Sequence, residues 1–219
     1  MNKPEALVDT CFLQKFSKEG KNVELLKKIL ENMDFKPVLH PYLCEHELSM
    51  YSYVKELEKM GLIRIASYEE FLLDKDDVEL YTQQFLELYE QLREHYEITN
   101  SKKHIEPLPE KCDIFTYRKA RTSIGDVHII LMAVYLQIPV IFTEDGDIGT
   151  LKSLARRKIY SEVYQMDIYD ALDALKQIIE KSDCPFSKKD IEKLLNEIGK
   201  RAYRSELKQF WDTYHGKEA

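Results

Sequence analysis

The chain has 219 residues, 44% of them hydrophobic, and a formal net charge of -7 at pH 7. That supports one core of roughly 130 to 160 residues with additions. The acidic balance argues against nucleic-acid binding through bulk positive charge, leaving only local basic patches for that role. Four cysteines, Cys11, Cys44, Cys112 and Cys184, are scattered with no CxxC and no metal-ligand spacing. The start, MNKPEALVDT, lacks the apolar run of a signal peptide, and no uninterrupted apolar run reaches about 18 residues. The expectation is a reduced, soluble cytoplasmic protein without a membrane segment.

In chain order, Ala6 to Val8 is a short apolar run ending on Asp9 and Thr10, as expected of a buried strand with a carboxylate at its C-terminal tip. Asn22 to Asn32 places Val23, Leu26, Ile29 and Leu30 at helical spacing, and Pro37 to Leu39 is a second strand candidate. Pro41 suits the first position of a helix running to about Met60 and closed by Gly61, with Leu43, Met50, Val54 and Leu57 buried. Continuing that stripe selects Glu47, while Glu45 falls on another face. An acid in an apolar stripe needs a partner or a solvated rim. Leu62 to Ala66 is a further strand candidate.

Asp74 to Glu97 is predicted as one long helix with Val78, Tyr81, Phe85, Leu88, Leu92 and Tyr96 on one face. This tyrosine-rich stripe is read as packing, in an insertion spanning about 74–111 that ends in a Pro107 and Pro109 loop. The basic tract Arg118, Lys119 and Arg121 precedes a helix from Ser123 that carries Asp126 in its first turn. Ile138 to Phe142 is a strand that empties into Thr143, Glu144, Asp145, Gly146 and Asp147. Arg156, Arg157 and Lys158 precede the strand-like IYSEVY, and Asp167 to Ile179 is predicted as an amphipathic helix. Ser187 with Asp190 resembles a capping box for a helix through Ile191, Leu194, Leu195 and Ile198. The tail with Phe210, Trp211 and Tyr214 suits either a docked helix or a partner-binding segment.

Asp9, Asp126 and Asp145 fall on element ends that a parallel sheet would bring together, with Glu47 and Asp147 as further candidates. A cluster of hard oxygen ligands without His or Cys suits Mg2+ or Mn2+ rather than Zn2+. Such an ion would neutralise the cluster, activate water and offset charge on a scissile phosphate. Each acid also has a plainer reading. Asp126 could complete a capping box begun by Ser123 or serve the helix dipole. Asp145 and Asp147 around Gly146 could form an ordinary turn. His40 and His128 are read as packing or supporting groups.

The segments ALVDT, PYLCEHEL, GDVHIILMA and VIFTEDGD resemble the acidic motifs of PIN-domain ribonucleases, a superfamily that includes VapC-like toxins. The resemblance spans about residues 6–170. It implies a three-layer α/β/α sandwich with a central, mainly parallel sheet, and Mg2+- or Mn2+-dependent hydrolysis of RNA phosphodiesters. It matches Asp9, Glu47, Asp126 and Asp145 to the catalytic metal ligands, with Asp147 an accessory acid and Glu45 a fallback for Glu47. Thr10 and Thr143 match the hydroxyl positions that support neighbouring acids. The 74–111 insertion and the part beyond Ser182 have no counterpart in small toxin-type members. The expected organisation is a nuclease domain over residues 1–182 and a helical extension over 183–219. Arg118, Lys119 and Arg121 are the candidate RNA contacts, and the insertion or C-terminal helix could hold a protein partner or a second copy. The alternatives are a catalytically silent module of the same type that binds RNA or protein, and a haloacid-dehalogenase-type phosphatase. The phosphatase would need an acid where Cys11 stands.

Overall fold

The computed structural model describes residues 3–99, 103–119, 122–156 and 165–216. Five strands form one all-parallel sheet: β1 (Glu5–Val8), β2 (Lys36–Leu39), β3 (Arg64–Ile65), β4 (Val140–Phe142) and β5 (Asp167–Tyr169), in the order β3-β2-β1-β4-β5. Adjacent strand residues divide between two cores. Ala6 and Val8 face one cluster, and Leu7 between them faces the other. A parallel sheet covered on both faces needs such continuously apolar strands.

Helices α1 (Thr10–Ser17), α2 (Val23–Asn32), α3 (Tyr53–Lys59), α7 (Ala171–Ile179), α8 (Lys188–Glu197) and α9 (Arg204–His215) contribute to one apolar layer. Helices α4 (Lys75–Ile98), α5 (Ile124–Tyr135) and α6 (Gly146–Ala155) build the other. The architecture is a three-layer α/β/α sandwich. α5 is buried nearly all round from Ile124 to Ala133, as expected of a helix enclosed between the sheet and its neighbours. No described helix is long and apolar enough to cross a membrane.

Several elements begin where their capping chemistry predicts. Asn22, Asp74 and Ser187 each accept a backbone N–H from the first turn of α2, α4 and α8. Gly61, at φ +71°, ends the turn after α3 in the left-handed region.

Other expectations are corrected. The single helix from Pro41 to Met60 is broken: Leu43–Glu47 winds as a π-helical turn, and α3 starts only at Tyr53. Met50, expected inside, falls in the break and is 72% exposed. The helix predicted from Asp167 begins at Ala171 instead. Asp167–Tyr169 extends beside β4, so Ile168 is a strand residue, and Asp170 caps the shortened α7. Val78 is more exposed than its place in the stripe implied. α1 and α6 are helices where none was predicted. The IYSEVY strand, Arg121, Arg157 and Lys158 lie outside the described residues. The C-terminal tail is a docked helix: Leu207 and Trp211 of α9 are buried in the same apolar cluster as α7 and α8.

Candidate metal centre

The order of the strands reverses direction at β1, with β2 on one side and β4 on the other. Crevices at the carboxyl ends of strands flanking such a point are where open α/β sheets bind ligands. Here β1 ends on Asp9 and β4 on Thr143, both buried. The backbone N–H of Asp9 donates to Phe142 O at 3.0 Å, joining the two strand tips. Thr143 Oγ1 donates to Asp9 Oδ2 at 2.8 Å and accepts the Asp145 N–H at 2.9 Å. One hydroxyl therefore fixes an acid from each strand. Asp145 in turn caps α6, its Oδ1 accepting the Asp147 N–H at 2.9 Å.

α5 supplies Asp126. Ser123 does not cap this helix; its hydroxyl donates to Asp147 Oδ2, so the capping-box account of Asp126 does not hold. Among the described residues Asp126 accepts no hydrogen bond. Burial lifts its pKa well above the usual carboxylate range, and the charges of Asp9, Asp145, Asp147 and Glu47 raise it further. One carboxylate oxygen each from Asp126, Asp145 and Asp147 lie within 4.8 Å of one another. Asp9 and Glu47 are not in that set of three, but each is near enough to raise the Asp126 pKa.

Glu47 reaches the cluster from the π-helical turn after β2. Burial pushes its pKa up to about 7, with Asp9 and Asp145 adding to the rise. The Thr10 hydroxyl opposes that rise without reaching a hydrogen bond of ordinary geometry. Glu45, the fallback, is exposed on the far side of the turn. Glu47 packs against Gly125: a Cβ there would collide with Glu47 Oε1 and come to 2.8 Å from Leu43 Cδ2.

Asp9 and Asp147 are held by neighbours. Burial raises the Asp9 pKa, countered in part by Cys11, whose Sγ donates to Oδ2 at 2.6 Å, and by Thr143. Asp147 is 2% exposed, and burial alone would push its pKa up. Donors from Lys103, Ser123 and Tyr96 instead hold it below the ordinary value. Sequence reasoning missed Cys11, Tyr96, Lys103 and Gly125. The stripe predicts packing for Tyr96, its last tyrosine, but α4 passes α6 there and the Tyr96 hydroxyl donates to Asp147.

His40 and His128 belong to one buried chain of hydrogen bonds. His40 Nδ1 accepts the Tyr42 N–H at 3.0 Å, and His40 Nε2 lies 3.3 Å from the Tyr81 hydroxyl. That hydroxyl lies 2.8 Å from His128 Nδ1, while His128 Nε2 lies 3.0 Å from Ile114 O. With the backbone groups fixing the ends, each ring carries its proton on Nε2 and Tyr81 donates to His128. Burial lowers both pKa values, that of His128 to about 3. This chain of bonds ties the 103–119 segment, α4 and α5 to the end of β2.

Of the candidate RNA contacts, Arg118 and Lys119 are both exposed. Lys119 is paired with Glu106. Near Thr143, Lys15 and Lys200 converge on Glu144 at 3.4 Å and 3.2 Å, so α1 and the segment after α8 both reach the rim of the cluster. The set of oxygen donors, including Asp126, which accepts no hydrogen bond among the described residues, fits a hard divalent cation. No protein-family model, no curated protein and no solved structure matches this chain.

Proposed function

We propose that the protein is a metal-dependent endoribonuclease of PIN-like type, hydrolysing RNA phosphodiester bonds with Mg2+ or Mn2+ held by Asp9, Glu47, Asp126 and Asp145. The observation that carries this reading is Asp126. It is a partly buried carboxylate that accepts no hydrogen bond among the described residues, with one oxygen within 4.8 Å of an Asp145 oxygen beside the switch point of the sheet. A buried charge with no partner is costly to a fold, and a cation supplies the missing partner. A ligand set made of carboxylate oxygens favours Mg2+ or Mn2+ over softer metals.

When bound, the ion supplies Lewis acidity, activating water and offsetting charge on the scissile phosphate. The chain's own groups do the positioning. Thr143 sets the spacing of Asp9 and Asp145, and Cys11 holds the second donor contact on Asp9. Gly125 leaves the space that lets Glu47 approach from the other side. Arg118, exposed ahead of α5, is the candidate contact to a phosphate of the RNA.

The test is cleavage of single-stranded RNA by purified protein with Mn2+ or Mg2+ and with EDTA. Cleavage should require the metal and be lost in Asp126→Asn. Full activity in that variant would reject the reading. Metal-independent RNA binding with no cleavage under any condition would instead favour the silent-module alternative.

A further inference from the structure

We infer that Lys103 is the chain's own stand-in cation at this one site: it holds Asp147 while no ion is bound and is displaced when a divalent ion enters. The inference rests on the metal-centre reading above and concerns how that site is filled and emptied.

Asp147 supplies one of the three carboxylate oxygens that lie within 4.8 Å of one another, with Asp126 and Asp145 supplying the others. Both of its oxygens are engaged. Oδ1 accepts the Tyr96 hydroxyl, and Oδ2 accepts the Lys103 ammonium and the Ser123 hydroxyl. Whichever oxygen an ion took, a dication and an ammonium would then share one carboxylate and repel each other at close range. The two hydroxyls are neutral donors, and donors to a ligating carboxylate are compatible with its bond to a metal. Lys103 is the partner that must give way.

Its placement lets it do so. The Lys103 side chain is 39% exposed, against 3% for Asp147, so the ammonium can turn into water without opening the fold. Ser123 is buried at the start of α5, and Tyr96 is carried by α4. Displacement also leaves Lys103 close by. Ile105 and Ile114 are buried, the Tyr89 hydroxyl donates to Glu106 O at 3.0 Å, and the Tyr96 ring centre lies 5.7 Å from the ammonium. A tethered ammonium competes at a fixed effective concentration, whereas a divalent ion competes at its own supply. Lys103 thus sets the affinity of the site below what the acids alone would give, and it returns to Asp147 when the ion leaves.

The experiment measures Mn2+ affinity by titration calorimetry in wild type, Lys103→Met, Lys103→Arg and Lys200→Met. Lys200, which pairs with Glu144 at 3.2 Å, controls for the loss of one nearby positive charge. Lys103→Met should bind Mn2+ about tenfold tighter than wild type, while Lys103→Arg stays near wild type. Lys200→Met should gain about twofold at most. In wild type, acylation of Lys103 by an N-hydroxysuccinimide ester, followed by mass spectrometry, should speed up when Mg2+ is added. Unchanged or weaker affinity in Lys103→Met, an equal gain in Lys103→Arg or Lys200→Met, or acylation that Mg2+ does not change would each overturn the inference while leaving the metal centre standing. Absence of Mn2+ binding in all four proteins would overturn both the inference and the metal-centre reading.

Discussion

The Glu47 carboxylate occupies the space where a side chain on Gly125 would have to be. A Cβ at Gly125 would collide with Glu47 Oε1. The two residues come from different elements, the π-helical turn after β2 and the first turn of α5, so their contact sets how closely Glu47 approaches Asp126. Gly125→Ala should therefore act through Glu47 first. We expect Mn2+ affinity to fall about tenfold, equivalent to roughly 1.4 kcal/mol. Overpacking a filled site should also cost about 1 to 3 kcal/mol of stability. Calorimetric titration and urea unfolding measure the two effects, and unchanged affinity would show that Glu47 is no ligand.

The raised acids give the metal-free protein an unusual pH dependence. A carboxyl whose pKa is higher folded than unfolded favours the protonated state of the fold. Stability is then fully present below the unfolded value and is lost as pH rises toward the folded value. Glu47 moves from 4.5 to about 7, so its share should be lost between about pH 4.5 and 7, on the order of 3 kcal/mol. Asp9 and Asp126 act in the same direction. Asp147 has the opposite sign, since its lowered pKa makes it stabilising above its usual 3.8 and costs stability only in stronger acid. In EDTA the melting temperature should fall from pH 5 to pH 8. Mg2+ or Mn2+ should restore it at pH 8 and do little at pH 5. Asp126→Asn should raise the melting temperature in EDTA and flatten its slope with pH.

Much of this arrangement can be read from the chain because the strands are short apolar runs that stop abruptly on acids, at Asp9 and before Asp145. The caps at Asn22, Asp74 and Ser187 announce their helices equally well. The illegible parts have physical causes. α6 opens on Gly146 and Gly149, which count against a helix, and it buries an apolar face of only Ile148, Leu151 and Ala155. The π-helical turn keeps Glu47 near the site by a route no 3.6-residue stripe describes: Leu48 N bonds to Leu43 O, five residues back. β5 is a strand because it pairs with β4, a contact that local periodicity cannot register. Lys103 is invisible for the same reason, being brought to Asp147 across 44 residues.

The sole tryptophan reports on the C-terminal helix. Trp211 is buried in the cluster that also holds α7 and α8, and its ring stacks on His215 at 4.2 Å. His215 Nε2 lies 2.7 Å from Ile179 O, fastening the end of α9 to the end of α7. If α9 is part of the same cooperative unit, tryptophan fluorescence and far-UV circular dichroism should give coincident urea transitions. An earlier fluorescence transition would show that α9 undocks first. Trp211→Ala should cost about 3 to 5 kcal/mol, the range for truncating a large buried aromatic.

Thr143 joins Asp9 to Asp145 through one oxygen, and Thr143→Val keeps its shape while removing both bonds together with the hydroxyl's 3.3 Å contact to Cys11 Sγ. The Asp145 N–H then loses its acceptor, and Asp9 Oδ2 keeps only the Cys11 thiol. Leaving such groups unpaired in a buried site costs about 1 to 3 kcal/mol. The greater effect should fall on the site, because Asp9 and Asp145 lose the link that sets their spacing. If the proposed nuclease reading holds, kcat should drop about tenfold or more with KM for RNA nearly unchanged, since Thr143 is buried and holds the acids in place. Thr143→Ser should recover most of the rate by restoring the hydroxyl. A valine variant with full kcat, or a serine variant no better than valine, would remove Thr143 from the positioning of the two acids.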